Sequence, residues 1–131
     1  MIDQSQLKFS KTHEWFSSDA DLATVGITQH AQEEISDVVF VELPKVGKAL
    51  TQGAEAAVVE SVKAAFSIYA PISGTIARVN EALTKDPGAV NRSPHEEGWI
   101  FVLEPANVKE AESLMTHEQY QGWVVGEKKH S

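Results

Sequence analysis

Lys63 is the residue whose surroundings in the sequence most suggest chemistry, because two runs suited to β-strands meet around it. Residues 56–59 and 66–69 contain valine, isoleucine and aromatic side chains, which favour a half-buried pleated surface. These runs predict a β-hairpin with Lys63 at its tip and the lysine amine in water. The centre of the hairpin contains no Asn-Gly or Asp-Gly pair, so turn chemistry does not by itself predict the reversal.

An unmodified lysine at such a tip has an ordinary interpretation. Lysine is a hydrated point charge with a reference pKa of about 10.4, so it is a poor nucleophile at neutral pH. Spacing alone therefore favours Lys63 as a solubilising residue, and only the wider motif context gives it another role.

The sequence lacks the residues that most catalytic mechanisms require. The chain contains no cysteine, which excludes disulfides, thiolate catalysis and cysteine metal sites. Its five histidines are scattered, with no pair spaced i, i+4, so we expect no metal site. The sequence has neither a glycine-rich phosphate loop nor a nucleophile elbow. Any redox chemistry must therefore come from an attached group.

The net charge of the chain limits the classes of partner that it can bind. The 131 residues carry a formal net charge of −8, which argues against nucleic acid and anionic membranes and favours partners with a basic docking face. No apolar run approaches membrane-spanning length. The N-terminus has neither an export signal nor an Arg-rich transit pattern. We therefore expect a cytoplasmic protein, or a mitochondrial matrix protein if a presequence was removed.

Several short motifs stand out along the chain. The central ones are Glu60-Ser61-Val62-Lys63-Ala64 and Tyr69-Ala70-Pro71-Ile72-Ser73-Gly74. Others occur at His13-Glu14-Trp15, Val25-Gly26-Ile27-Thr28, His30-Ala31-Gln32, Val39-Phe40-Val41-Glu42-Leu43-Pro44, Val79-Asn80-Glu81-Ala82-Leu83, Val90-Asn91 and Glu97-Gly98-Trp99-Ile100. Each motif is a weak signal alone, but together and in this order they closely resemble the glycine cleavage system H proteins, and the combination is highly specific.

The resemblance implies a lipoyl carrier. Lys63 would carry lipoate through an amide bond, and the chain would shuttle the aminomethyl group of glycine from a glycine decarboxylase (P protein) to an aminomethyltransferase (T protein). A dihydrolipoyl dehydrogenase (L protein) and a lipoylating enzyme would be the other partners. By this resemblance the chain is a non-catalytic carrier, and we expect a monomer.

Three alternatives keep the same fold. The chain could be a lipoyl relay donor to other proteins, or an unmodified H-like binding module in which Lys63 stays bare. A biotin carrier is the nearest rival, but it normally has methionine on both sides of its lysine, whereas Val62 and Ala64 flank the lysine here.

The resemblance also implies roles for four further residues. Glu60, three positions before Lys63, would help the lipoylating enzyme to recognise the tip. Glu14 would line a cleft that shelters the loaded arm, where its carboxylate could hold a cationic amine, although Glu14 could also simply face water. Thr12 and Ile27 are candidates for the same cleft.

One departure from the family pattern lies close to the tip. Phe66-Ser67 stands where a small polar residue and an acidic residue are common. The change puts an aromatic ring beside the tip and removes a carboxylate. It bears on partner choice or arm docking more than on lipoylation.

The elements that would position these residues are mostly short strands. Strand-forming runs predict a strand at Leu22–Ile27, a buried strand over residues 38–43 and a strand covered on both faces over residues 99–103. Thr28 is predicted to be the N-cap of a short helix that ends before Ser36-Asp37.

After residue 105 the pattern becomes helical. Apolar spacing predicts a helix over residues 107–115. Thr116 and Gln119 form a capping box for a second helix, with a frayed end over residues 127–131. The residues predicted to face inward on that second helix are Tyr120, Trp123 and Val124.

Together these patterns predict a mainly β fold, a flattened barrel or sandwich hybrid of the lipoyl/biotinyl carrier type. It would carry a short helix near residues 28–35 and C-terminal helices. We expect residues 1–131 to form a single lipoyl-carrier domain, with residues 107–126 as a C-terminal helical appendage.

Overall fold

The computed structural model describes residues 7–19 and 21–129, which form a mainly β protein. The strands of this part are Lys8–Phe9 (β1), Glu14–Asp19 (β2), Leu22–Ile27 (β3), Val38–Glu42 (β4), Ala49–Leu50 (β5), Glu55–Ser61 (β6), Ala65–Tyr69 (β7), Gly74–Val79 (β8) and Phe101–Pro105 (β9). Its α-helices are Gln29–Ile35 (α1), Ala89–Arg92 (α2) and His117–Lys129 (α3), and its 3₁₀ segments are Glu81–Thr84 and Val108–Ser113.

Two antiparallel sheets form the body of the protein. The larger sheet has the strand order β1-β2-β3-β9-β8-β5, and the smaller has the order β4-β6-β7. Neither sheet closes into a barrel within the described residues. The predicted mainly β carrier fold is confirmed, in the form of a sandwich of two open sheets.

The sheets are held together by one apolar core. Val25 and Phe101 from the larger sheet and Val59 and Ile68 from the smaller sheet are all buried within it. Side chains alternate between the faces of a strand, which brings these residues to the inner faces. Burying a side chain of this size stabilises the fold by roughly 1.5–3 kcal/mol. The core therefore anchors β6 and β7, the two strands of the central hairpin, to the rest of the protein.

A second buried cluster attaches the C-terminal segment to the larger sheet. It consists of Leu7, Phe9, Trp15 and Tyr120. Phe9 also exchanges two backbone hydrogen bonds with Met115, at 2.8 and 2.7 Å. The residues just before α3 and the first turn of α3 are thereby fixed against β1.

Both predicted helix caps are confirmed. The Thr28 hydroxyl accepts a hydrogen bond from the Ala31 amide at 3.1 Å, which starts α1. The Thr116 amide donates to the Gln119 side chain at 2.9 Å, and the Gln119 amide donates to the Thr116 hydroxyl at 3.2 Å. No helix in the described part of the chain is long and apolar enough to cross a membrane.

The predicted buried strand over residues 38–43 is wrong in its burial. Val38 and Val41 are buried, but Val39 and Phe40 are 55% and 48% exposed. The pairing of β4 with β6 shifts register between Val38 and Phe40. Because a β-bulge places an extra residue in one strand, it interrupts the alternation of side chains between the two faces. Two neighbouring apolar residues therefore both lie open to solvent.

Four further predictions need correction near the C-terminus. The strand predicted over residues 99–103 begins only at Phe101, although it is covered on both faces as expected. The segment after Asn107 is a 3₁₀ helix, and α3 continues to Lys129 where fraying was predicted. Residues 130–131 lie outside the described part. Trp123 is 37% exposed and not inward-facing, because its ring lies under the Lys11 amine, 5.4 Å from the ring centroid.

Candidate functional site

Lys63 lies at the tip of the hairpin formed by β6 and β7, as predicted. The strands pair through Glu60 opposite Ala65, which leaves a short reversal between them. The Ser61 hydroxyl accepts hydrogen bonds from the amides of Lys63 and Ala64, at 3.0 and 3.2 Å. The Ser61 amide donates to the Ala64 carbonyl at 2.8 Å. The Ser61 side chain thus stabilises a chain reversal that contains no Asn-Gly pair.

The tip is exposed but fixed in place. Lys63 is exposed, and the neighbouring Val62 is 70% exposed. The Val62 amide donates to the Asp37 carbonyl at 3.0 Å, which ties the tip to the loop after α1. The Lys63 amine donates to the Glu34 carbonyl at 3.3 Å, in an exposed hydrogen bond. An exposed bond of this kind costs little to break, so the amine is accessible to an enzyme that would acylate it.

Glu60 and Phe66 flank the tip in different ways. Glu60 is exposed on β6, paired with Phe40 on one side and Ala65 on the other. Phe66 is half-buried and packs against the main core. The core therefore covers part of the Phe66 ring.

Glu14 does not face water. It is only 1% exposed, at the start of β2. Its carboxylate accepts a hydrogen bond from the Ser10 hydroxyl at 2.6 Å and another from the Thr12 hydroxyl. The Tyr69 amide, at the end of β7, donates to the other oxygen at 3.3 Å. The carboxylate thus joins the β1–β2 turn to the strand that returns from the Lys63 tip.

Burial raises the pKa of Glu14 above its ordinary value of 4.5. The loss of hydration disfavours the charged form of the carboxyl group. Hydrogen bonds from Ser10, Thr12 and the Tyr69 amide oppose this effect and lower the pKa. No cationic side chain of the described residues contributes to the shift. A cationic guest would therefore supply the counter-charge that this buried carboxylate lacks.

The carboxylate lies at the wall of a cleft of about 370 Å³. Four segments form the cleft: the turn between β1 and β2, the loop between β5 and β6, the end of β7, and the link between the 3₁₀ helix and α3. Its lining residues are Phe9, Ser10, Lys11, Thr12, Glu14, Gln52, Gly53, Tyr69, Ala70, Pro71, Ser113, Leu114 and Met115. Tyr69 follows Lys63 by six residues, roughly 20 Å along an extended strand.

The structure brings together two of the three residues predicted for this cleft. Thr12 and Glu14 both line it, and the Thr12 hydroxyl donates a hydrogen bond to the Glu14 carboxylate. Ile27 pairs with Glu14 across β2 and β3, but its side chain is buried in the main core and is not part of the lining. The sequence reasoning missed Ser10 and Tyr69. A serine four residues before a glutamate carries little signal, and Tyr69 meets Glu14 only through the fold.

Comparison with known proteins agrees with this architecture. The family model described as "Glycine cleavage H-protein" matches residues 7–127. A glycine cleavage system H protein of Legionella pneumophila (strain Corby) is 51% identical over 94% of this chain and 98% of its own. One from Thermotoga maritima is 48% identical over 92% and 97%. The crystal structure of a glycine cleavage system H protein from Mycobacterium marinum superposes with a TM-score of 0.82, at 35% identity, and covers 92% of this chain and 97% of that one.

The two-sheet sandwich is the fold of the lipoyl-carrier class of proteins. Within that class, the chain belongs to the glycine cleavage H-protein family. The lipoyl-carrier role in glycine cleavage that the sequence motifs implied is confirmed by this membership.

Proposed function

We propose that this protein carries lipoate on Lys63 and shuttles the aminomethyl group of glycine from the glycine decarboxylase to the aminomethyltransferase. The observation that supports this assignment most is the position of Lys63, an exposed amine at the tip of a hairpin whose strands are anchored in the core. The chain itself catalyses no step in this proposal. It supplies position and environment for the attached group.

The residues at the tip fit an attached lipoyl group. The Lys63 amine makes one exposed hydrogen bond, to a backbone carbonyl, and its neighbours Val62 and Ala64 are exposed. When bound, lipoate would supply a redox-active disulfide, which a chain without cysteine cannot provide. Ser61 would keep the turn closed, so that Lys63 stays at the outermost point of the hairpin.

The cleft around Glu14 would shelter the cargo. Its buried carboxylate would bind the cationic amine of the aminomethyl group, and the Ser10 and Thr12 hydroxyls would keep that carboxylate oriented. Ile27 would support the site from its position on β3, where it pairs with Glu14 across the two strands. A cleft that excludes bulk water slows premature hydrolysis of the cargo.

The surroundings of the tip suit recognition by other proteins. Glu60 is exposed on β6, close in sequence to Lys63, and we propose that the lipoylating enzyme reads it. The net charge of −8 favours partners with basic docking faces. The proposed partners are the decarboxylase, the aminomethyltransferase, the dihydrolipoyl dehydrogenase and the lipoylating enzyme.

The organisation and setting of the chain complete the proposal. We propose a monomer in which residues 1–131 form one carrier domain, with residues 107–126 as its helical appendage. The described part of that appendage contributes Ser113, Leu114 and Met115 to the cleft, which supports a single unit. We propose a cytoplasmic location, in keeping with the bacterial relatives.

Replacing Glu14 with alanine is expected to shorten the lifetime of the aminomethyl cargo. The variant loses a charge-assisted contact, which corresponds to roughly a tenfold or greater increase in the rate of ammonia release. The rate is measured on the isolated loaded protein. Glu14→Gln removes the charge while keeping the shape of the side chain. We expect its rate of ammonia release to lie between those of the wild type and Glu14→Ala.

Glu81→Ala is the matched control, since Glu81 is an exposed glutamate outside the cleft. It should release ammonia at the wild-type rate. If Glu14→Ala released ammonia no faster than Glu81→Ala, Glu14 would have no part in holding the cargo.

A further inference from the structure

His13 has an uncommon backbone conformation at the edge of the cleft. Its φ angle is 72°, in the left-handed region that only a few per cent of residues other than glycine adopt, with asparagine, aspartate and histidine over-represented among them. Since His13 immediately precedes Glu14, its conformation sets the direction in which the chain enters β2. A strained conformation persists only where the surrounding contacts hold it.

Both the imidazole and the backbone of His13 are held. The imidazole Nδ1 lies 2.7 Å from the hydroxyl of Tyr120, on α3. The ring centroid lies 4.8 Å from that of His30. The His13 amide donates to the Ser10 carbonyl at 3.2 Å, and the His13 carbonyl accepts from the Thr28 amide at 3.0 Å.

Tyr120 is itself a rigid anchor. It is 5% exposed, and its ring stacks on Phe9 with centroids 4.7 Å apart. Its hydroxyl also lies 2.7 Å from the Thr28 hydroxyl. A phenolic hydroxyl can donate one hydrogen bond and accept others, so it can bridge His13 and Thr28 at the same time. The bridge connects the C-terminal helix to the turn that carries the cleft residues.

We propose that Tyr120 is a positioning residue for Glu14: its hydroxyl holds His13 in the left-handed conformation and thereby fixes the turn that places the carboxylate in the cleft. The Ser10 and Thr12 hydroxyls that bind the carboxylate belong to the same turn, so all three groups move with it. This inference rests on the proposed function, in which the Glu14 carboxylate holds the cargo. Through Tyr120, α3 would contribute to the geometry of the cleft around Glu14.

Tyr120→Phe is the direct test, because it removes the hydroxyl and keeps the ring that stacks on Phe9. Carboxyl ¹³C NMR follows the titration of Glu14 in the unmodified protein. A looser turn admits water, so the pKa of Glu14 should fall towards its ordinary value, and the Tyr69 amide signal should shift. In the loaded protein, ammonia release should accelerate about threefold to tenfold, the factor to which one neutral hydrogen bond corresponds.

Two substitutions of His13 separate conformation from contact. His13→Ala and His13→Gly both remove the imidazole, but only glycine adopts the left-handed conformation without strain. We therefore expect a smaller displacement of the Glu14 titration in His13→Gly than in His13→Ala. Gln121→Ala, on the exposed face of α3 beside Tyr120, is the control and should leave the Glu14 titration unchanged.

The outcomes separate this inference from the proposed function. An unchanged Glu14 titration and an unchanged Tyr69 amide signal in folded Tyr120→Phe would overturn the inference. Equal displacements in His13→Ala and His13→Gly would also overturn it, because the left-handed conformation would then not matter. A displaced Glu14 titration with an unchanged rate of ammonia release would support the positioning by Tyr120 and count against the role of Glu14 in holding cargo.

Discussion

Lys63→Arg is expected to fold normally and to lose glycine cleavage activity completely, down to the level seen without the protein. Lys63 is exposed at the hairpin tip, and its side-chain hydrogen bond to the Glu34 carbonyl is exposed as well, so the substitution removes no packing. The guanidinium of arginine stays protonated at physiological pH and offers no free amine for acylation. The positive charge is kept, so any loss reflects the missing attachment point.

Reconstitution of glycine cleavage with the decarboxylase, aminomethyltransferase and dehydrogenase measures this effect. Lys48→Arg is the matched control, because Lys48 is also an exposed lysine but lies in the loop before β5. It should support the wild-type rate. Glycine cleavage by Lys63→Arg at a rate comparable to that of Lys48→Arg would contradict the assignment of Lys63 as the attachment site.

The largest expected loss of stability comes from Trp15→Ala. Trp15 is completely buried, and its indole nitrogen donates to the Pro94 carbonyl at 2.8 Å. Its ring fills the space above Gly26, where an added Cβ would lie 2.7 Å from the ring atoms. Removing such a side chain typically lowers the free energy of unfolding by about 3–5 kcal/mol. That is a large part of the roughly 5–15 kcal/mol that a domain possesses.

Urea unfolding measures this loss, with Trp123→Ala as the control of the same chemical type. Trp123 is 37% exposed and contacts the Lys11 amine through its ring, so we expect a loss below about 1 kcal/mol. Equal losses in the two variants would contradict the account of the second cluster as the anchor of the C-terminal segment.

The hairpin was predictable because its signals are local. Two strand-forming runs lie on either side of Lys63, and each needs only its own side chains to be recognised. The turn was less clear, because its stabilising group is the Ser61 hydroxyl, which binds the amides of Lys63 and Ala64. Serine is a weaker turn signal than Asn-Gly. The two capping residues, Thr28 and Thr116, were predictable for the same local reason.

The environment of Glu14 was not predictable from its own neighbourhood. Whether the side chain faces water or a cleft depends on Tyr69, 55 positions away, and on the C-terminal segment that closes the wall. The same applies to the histidines. They are scattered in the sequence, yet His13 and His30 come within 4.8 Å of each other, and Tyr120 reaches His13 across 107 positions.

Val39 and Phe40, the exposed apolar residues of β4, show a second limit of prediction from the sequence. An apolar run closed by Pro44 predicts burial, but only Val38 and Val41 of the five residues of β4 are buried. The bulge beside Val39 depends on the pairing of β4 with β6, and no residue type in the run encodes it. The apolar, β-branched run predicted the strand correctly and its burial only in part.

The most direct test of the carrier assignment is the intact mass of the protein purified from its native cells, followed by mapping of the modified peptide. We predict a lipoyl or octanoyl increment on the peptide that contains Lys63 and on no other. A bare Lys63, in cells whose other lipoyl proteins are modified, would contradict the carrier assignment and would favour an unmodified H-like binding module.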